Sequence, residues 1–412
     1  MTPMHVVRRL SLLLFCATAV LGWASRCFGQ FETSAVLGSV LDAHSAVVPR
    51  ARVVLENQET GVAQTTETDE RGVYQFLEVR VGRYKVAVEA SGFKRAETQE
   101  FRVEVGARQR VDVSLELGEV TQTVEVMDAG TIMQSESSDR GEVISHEETA
   151  NLPLNGRSTA ALALLAPGVR LAYGLPKRES SFNVSGMRSQ FNDFILDGLD
   201  NNAYGTSNQG LSNQVIQLSP DAVQEFKVIT NSFSAEYGRV GGAVVNASVR
   251  SGTNQWHLTV WDYFRNTDLN AVGFFKPTSG QKPVYIFNQF GGAGGGPIRK
   301  NKMFVFADYE GFRRIQRSLT FASLPTMSQR VGDFSGMAVI DPFSGSPYPN
   351  GIIPKSAQSK FGSTVFSQLP AVNLPGNTNN FESLPPSPDD DNKGDIRYDH
   401  YLSEQDCCIL AL

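Results

Sequence analysis

The first half of the stretch from Phe182 to Asn254 reads FNVSGMRSQFNDFILDGLDNN (182–202), and the second reads LSPDAVQEFKVITNSFSAEYGRVGGAVVNASVRSGTN (218–254). Short apolar runs of strand character alternate with polar, Asn- and Gly-rich connections. Glycines stand where a backbone must turn or be approached closely. Ser219-Pro220-Asp221 has the chemistry of a short helix start: a capping hydroxyl, a proline suited to the first helical position, and an acid suited to the positive helix end. A Val/Ile-rich strand is expected around Phe226–Ile229. Another follows the tight turn at Ser234-Ala235-Glu236-Tyr237-Gly238 and the pair Gly241-Gly242. On composition alone this is a compact α+β unit.

Upstream, residues 34–118 alternate apolar and polar positions. Tyr84, Val86 and Val88 interleave with Lys85, Ala87 and Glu89, and Phe101, Val103 and Val105 with Arg102 and Glu104. Val111, Val113, Leu115 and Leu117 repeat the pattern against Asp112, Ser114 and Glu116. Period-two patterning broken by turns such as Asp69-Glu70-Arg71-Gly72 predicts antiparallel strands, each with one buried face. Roughly six or seven of them in ~85 residues make a small β-sandwich. Tyr74, Phe76 and Tyr84 fall at core positions of this alternation, so they offer no sugar-stacking platform.

The first 29 residues have another task. Arg8-Arg9 precede an apolar core, Leu10–Leu21, too short to span a bilayer comfortably, and small residues allow cleavage after Ser25 or Gly29. This is the pattern of a secretory signal peptide. Of the four cysteines, Cys16 and Cys27 lie in that signal and Cys407-Cys408 are adjacent near the far end. The domains between are neither stapled by disulfides nor built on thiolate metal sites. A net charge of −6 with scattered basic residues argues against nucleic acid as the main partner.

Downstream, Trp256, Leu258, Val260 and Phe264 share one side of a strand, and His257, Thr259, Tyr263 and Arg265 the other. Met303–Gly311 and Asp395–Leu402 are further strand candidates, the last with Ile396, Tyr398 and Leu402 opposed to Asp395, Arg397 and Asp399. Such alternation, apolar outward and polar inward, is what a transmembrane β-barrel requires. Residues 312–391 are rich in Pro, Ser, Asn and Gly and read as a long loop.

Three chemical readings fail on their residues. His146-Glu147 opens like a zinc-protease motif, but Ala150 stands where the second histidine belongs, which leaves solvated loop residues. Gly291–Pro297 lacks the Lys-Ser/Thr pair of a phosphate loop. Asp389-Asp390-Asp391 lacks oxygen ligands at Lys393 and His400, so a solvated turn replaces a calcium loop. Neither a catalytic constellation nor a cofactor or metal site is expected, and the chain is not read as an enzyme.

The motifs carry two resemblances. Gly38-Ser39-Val40, Ala51-Arg52-Val53, Thr68–Gly72 with Tyr74 and Phe76, Gly82-Arg83-Tyr84 and Ser91-Gly92-Phe93 resemble the carboxypeptidase regulatory-like domain, a transthyretin-like sandwich also classed as a carbohydrate-binding-like fold. Asn151–Arg157 (NLPLNGR) with Pro167-Gly168, Gly186 and Arg188, Asp197-Gly198, Ser219-Pro220, Glu236-Tyr237-Gly238 and Gly241-Gly242 resemble the plug of TonB-dependent outer-membrane receptors, in the Oar-like branch. The family places GGAGGGPI between early barrel strands. The resemblance implies a mainly β chain: signal 1–29, sandwich 30–118, α+β plug 119–252, and partial barrel 253–412 with the loop 312–391.

It also implies an outer-membrane receptor that takes up a large or scarce solute, a carbohydrate or a peptide among the possibilities, with the sandwich in the periplasm. Its partners would be membrane lipid and a TonB-type energy-coupling protein. That protein would pair with a strand such as Thr121-Gln122-Thr123-Val124-Glu125-Val126, which equally fits a first plug strand. The loop 199–213, with Asp200, Asn201, Asn202 and Tyr204, would face the ligand. A barrel of ~22 strands needs several hundred residues. The residues after Gly252 suffice for about three to five strands, so the chain reads as a truncated or frame-shifted product unable to transport alone. The alternative is a secreted or surface-attached binding module that uses the sandwich for glycan or protein contact.

Overall fold

The computed structural model describes residues 34–118, 123–126, 137–152, 154, 157–172, 181–203, 214–238, 240–272, 274, 280, 282–402 and 407–411, with 123–126 and 407–408 described in their backbone. The chain divides into two compact units. The first takes the residues up to Thr259 with Ala293–Asp308 and Asp395–Leu412, and the second takes Val260–Gly292 and Tyr309–Gly394.

The first unit opens with the sandwich. Its strands are β1 (Ser34–Asp42), β2 (Arg52–Asn57), β3 (Ala63–Glu67), β4 (Val73–Val79), β5 (Gly82–Glu89), β6 (Arg95–Thr98), β7 (Phe101–Val103), β8 (Arg108–Arg110) and β9 (Val113–Leu115). One sheet runs β4-β1-β8, with β9 also on β1. The other runs β6-β5-β2-β3, with β7 also on β5. Alternate residues of each strand enter one core, including Val36, Val40, Val53, Leu55, Tyr74, Phe76, Val86, Val88 and Leu115. Gly38 is required by close approach, because a Cβ there would lie 1.8 Å from the Val111 carbonyl oxygen. The Tyr74 hydroxyl donates to that same oxygen at 2.6 Å.

There are more strands than the alternation counts, and two of them run differently. β8 and β9 pair parallel with β1, where antiparallel neighbours were expected throughout. Alternation specifies which face is buried but is blind to strand direction. A further short strand, β10 (Thr123–Val126), joins the second sheet parallel to β6, with Val124 opposite Ala96.

The α+β segment follows, with β11 (Arg140–Ser145), α1 (His146–Asn151), β12 (Val169–Leu171), β13 (Phe182–Val184), β14 (Asp193–Leu196), β15 (Leu199–Asp200), β16 (Val223–Asn231) and β17 (Val244–Val249). The sheet order is β11-β16-β17-β14-β15, with β14 parallel to β17, and β12 and β13 form a separate ribbon. Phe194, Phe226, Val228 and Val245 are buried in this layer. Asp197 (φ 47°) and Gly198 (φ 77°) join β14 to β15 in the left-handed conformation that a two-residue hairpin turn demands.

The readings of Ser219-Pro220-Asp221 and of His146-Glu147 change here. Ser219-Pro220-Asp221 makes a turn and no helix, since β-branched Val223 enters the long strand at once. The Ala/Leu-rich run Thr159–Leu165 is a 3-10 helix. His146 and Glu147 begin a true helix, α1, closed by a reciprocal capping box between Ser145 and Glu148, so they are not loop residues.

The C-terminal sheet has the order β18-β19-β20-β23-β24: β18 (His257–Arg265), β19 (Tyr285–Arg299), β20 (Met303–Arg317), β23 (Pro386–Tyr401) and β24 (Cys407–Ala411). The glycine run lies inside β19 and not between strands. Added Cβ atoms would lie 2.3 Å from the Trp256 ring at Gly296 and 2.6 Å from the Trp261 ring at Gly291, so the glycines make room for tryptophans laid across the strand. In the second unit, β21 (Thr320–Ala322) and β22 (Phe381–Ser383) pair at the base of an excursion. That excursion carries a helix over Lys360–Gln368, capped by Ser359. The expected loop 312–391 is therefore shorter, because β20 runs on to Arg317 and β23 starts at Pro386. Asp389 sits in β23 and pairs with Arg314 at 2.7 Å, which replaces the expected solvated turn.

Burial in this sheet departs from that of a water-soluble one, with charged side chains enclosed beside Phe304 and Phe306 and many apolar ones turned outward. Asp308, Glu310, Arg397 and Asp399 are buried, whereas Leu258, Val260, Ile298, Ile396 and Leu410 are exposed. No helix among the described residues is long and apolar enough to cross a membrane, which leaves strand crossing open.

Candidate functional site

The chemistry of the first unit concentrates where the α+β sheet meets β20 and β23. Arg397 and Asp399 lie two apart on β23 and so share a face. Arg397 donates through Nη1 to the Val249 carbonyl at 2.6 Å and lies 3.5 Å from Asp197 Oδ1. Its Nε is 3.2 Å from Asp399, which also accepts from the Ser251 hydroxyl. Asp197 Oδ1 accepts from the Val249 amide at 3.1 Å, so the Asp-Gly turn and the end of β17 are bolted to one guanidinium. Desolvation raises the Asp197 carboxyl above its ordinary range, and Arg397 partly offsets this. A second tie is the buried Ser219, whose hydroxyl donates to Asp308 Oδ2 on β20 at 2.9 Å while its backbone carbonyl accepts from Ala222 at 3.0 Å. A third is the Arg250 guanidinium, 5.5 Å from the centre of the Phe306 ring.

Behind this junction lies a cavity of about 100 Å³ lined by Arg80, Asp197, Asn246, Ser248, Ser251 and Arg397, among others. Among the described residues, Asp197 Oδ2, both amide atoms of Asn246 and Ser248 Oγ have no protein partner. A polar cavity of this size has room for several water molecules.

The sandwich contributes directly. Arg80, between β4 and β5, reaches Asp399 Oδ1 at 2.7 Å and lies 5.1 Å from the centre of the Tyr401 ring. Glu225 on β16 is fully buried and accepts from the Val105 amide at 2.5 Å and from Arg102 at 3.1 Å. Burial pushes its carboxyl up to about 7, against the hydrogen bond from Val105 and the charge of Arg102. Asn254 anchors the other flank through Thr60 O at 2.7 Å and Glu59 O at 3.0 Å.

The motif residues named from sequence fall into distinct roles. Gly186 (φ 83°) turns the chain after β13, and Arg188 is exposed beside it. Gly241 and Gly242 both donate to the Phe191 carbonyl, and a Cβ on Gly242 would lie 2.3 Å from Asn192 Oδ1. Glu236 and Gly238 are exposed and Tyr237 half-buried in a turn facing Arg108 of the sandwich, whose guanidinium is 3.6 Å from Glu236. Pro220 is buried in its turn, next to Asp221, which pairs with the buried Arg157.

Asn201 bridges both backbone atoms of Ile216, at 2.9 and 2.8 Å. Asn202 ties to Asp193 and Asp200 at 2.5 and 2.7 Å. Both amides thus already serve to close the sheet. Tyr204 lies outside the described residues, as do Thr121 and Gln122. Thr123, Val124, Glu125 and Val126 form β10, which pairs with the sandwich and not with the α+β sheet.

Arg80, Arg157, Glu225, Arg397 and Asp399 were not singled out from sequence as a junction. The available signal was charge at strand positions whose face the alternation assigns to solvent, as in Glu225 and Lys227 on β16. Those positions are buried because another layer covers them.

Comparisons with known proteins fit this arrangement. Residues 35–116 match the carboxypeptidase regulatory-like domain, 133–245 the TonB-dependent receptor plug domain, and 248–410 an outer membrane beta barrel domain. The TonB-dependent transporter Oar of Myxococcus xanthus is 30% identical over 367 residues, covering 83% of this chain and 33% of that protein. The chain thus spans about a third of the length of this curated relative.

Among solved structures, the outer membrane transporter YddB from Escherichia coli aligns over 66% of this chain and 32% of its own, at 13% identity and TM-score 0.41. The siderophore receptor PirA from Acinetobacter baumannii aligns over 45% and 28%, at 16% identity and TM-score 0.32. With its regulatory-like sandwich, plug and outward-apolar barrel strands in one order, the chain belongs to the Oar-like TonB-dependent outer-membrane receptors.

Proposed function

We propose that this chain supplies the periplasmic sandwich, the gate and the first wall strands of a transporter that draws a scarce or large solute across the outer membrane. The observation that carries this reading is the set of buried polar ties from plug to wall: Ser219 to Asp308, and Arg397 to Val249 and Asp197. A plug held to its wall by hydrogen bonds and ion pairs, beside a polar cavity, can be released by exchanging those bonds for water. An apolar seal would expose surface that water resists. Energy for that release would come from a TonB-type partner that engages an extended strand upstream of the plug. Binding and gating make and break no covalent bond. The transport step is assigned to a closed wall, since lipid-facing edges of an open sheet leave backbone groups unpaired.

The solute would be met by the loop around Asp200 and Tyr204. The sandwich would face the periplasm after removal of residues 1–29. The test is fractionation of cells expressing the epitope-tagged gene product. Recovery with the outer membrane is expected, with the sandwich digested only when protease reaches the periplasm. Recovery solely as a soluble periplasmic or secreted pool would overturn the reading in favour of a free binding module.

A further inference from the structure

We infer that Arg80 of the sandwich is a latch residue that completes the charge balance of the plug–wall junction, so that the sandwich is a working part of the gate and not an appended domain. Beneath the sandwich, the junction holds Asp197 on the plug and Arg397 and Asp399 on the wall. With Asp197 held as a carboxylate by the Val249 amide and Arg397, two carboxylates against one guanidinium leave an excess negative charge among groups that are almost wholly buried, with Asp399 at 0% and Arg397 at 8% side-chain exposure. An uncompensated buried charge is strongly destabilising, whereas a balanced cluster with satisfied hydrogen bonds is tolerated. Arg80 supplies the missing positive charge from a third element, at 2.7 Å from Asp399 Oδ1.

Arg80 is placed to act from outside. It sits in the turn between β4 and β5, retains 19% side-chain exposure, and stacks toward the Tyr401 ring of the same wall strand. The sandwich also holds β10 as a parallel neighbour of β6. A displacement of β10 therefore reaches the sandwich before it reaches the plug sheet. Any movement that withdraws the β4–β5 turn takes Arg80 out of the cluster and leaves Asp197, Arg397 and Asp399 unbalanced beside a polar cavity that water can enter. The charge balance stands on geometry alone, while its meaning for gating rests on the uptake reading above.

Amide hydrogen exchange on the whole chain tests the latch at one atom. The Val249 amide donates to Asp197 Oδ1, and the Val249 carbonyl receives Arg397, so its exchange reports the junction. Arg80→Ala is expected to speed exchange at Val249 by about tenfold or more. Adding Asp399→Asn in the same chain is expected to restore most of the protection, because Asp197 and Arg397 are then balanced without Arg80. Val86 and Val88 in the sandwich core should exchange as in the unmodified chain in both variants.

Unchanged Val249 exchange in Arg80→Ala would overturn the proposal, as would a double variant that exchanges faster than the single one. If Arg80→Ala fails to accumulate, Arg80→Gln carries the same comparison, keeping the stem and a donor while removing the charge. A rescued junction in a chain that still fractionates as a soluble protein would sink the uptake reading and leave the latch standing.

Discussion

Glu225 offers the sharpest test of how the sandwich is held. Its carboxyl is pushed from its ordinary 4.5 up to about 7 while it accepts from the Val105 amide and Arg102. Arg102 is 41% exposed, so water screens much of its pull, and desolvation of Glu225 wins. Once the sandwich lifts away, Glu225 regains water and its ordinary value. Between about 4.5 and 7 the docked state then binds more protons than the undocked one. Docking therefore weakens as pH rises through that window, and levels off above it. The ceiling on the change is set by the difference of roughly 2.5 units, at 1.36 kcal/mol each, or about 3 kcal/mol.

The assay is exchange protection of the Val105 amide, corrected for the intrinsic pH dependence of exchange. Protection should fall by about two orders of magnitude between pH 4.5 and 7.5. Glu225→Gln keeps an oxygen acceptor for Val105 and cannot titrate, so its profile should be flat across the same range. The charged groups around this contact, Arg102 and Glu104, are unchanged in that variant and serve as its internal control. A flat profile in the parent chain, or the same slope in both chains, would show that Glu225 does not govern docking.

Further outcomes follow from the same geometry. Arg157→Ala leaves Asp221 buried without its partner and should destabilise the plug by about 3–5 kcal/mol, read as early loss of plug protection in denaturant. The paired change Arg157→Met with Asp221→Leu should cost less, and equal losses would contradict the pairing. Gly291→Ala and Gly296→Ala drive a methyl into Trp261 and Trp256, and should cut the yield of protease-resistant sheet in detergent. Gly238→Ala, with open space around it, should leave that yield unchanged. Cysteines replacing Glu97 and Glu125, opposite one another across β6 and β10, should cross-link under mild oxidation, and failure to do so would refute the parallel pairing.

Much of this protein is written in its order of residues. Alternation in Val36–Val40, Val53–Leu55 and Val86–Val88 reports a sandwich because a period of two can bury only one face of a strand. Asp197-Gly198 reports a hairpin because that turn needs two left-handed residues. The ordered motifs from Asn151 to Gly242 report the plug, and Ile396, Tyr398 and Leu402 against Arg397 and Asp399 report a wall strand.

Strand direction, β8 and β9 parallel to β1 and β10 parallel to β6, waited on the tertiary structure, since side-chain alternation is the same either way. So did the fate of the charged positions. Nothing local marks Arg80 or Glu225 for burial, and Asp399 reads only as inward-facing; their partners lie 319 residues apart in the pair Arg80–Asp399 and 120 apart in Glu225–Val105. Local periodicity measures the preference of a strand for having a dry face. Whether its wet face meets solvent or another layer's buried charge is decided only when the layers stack.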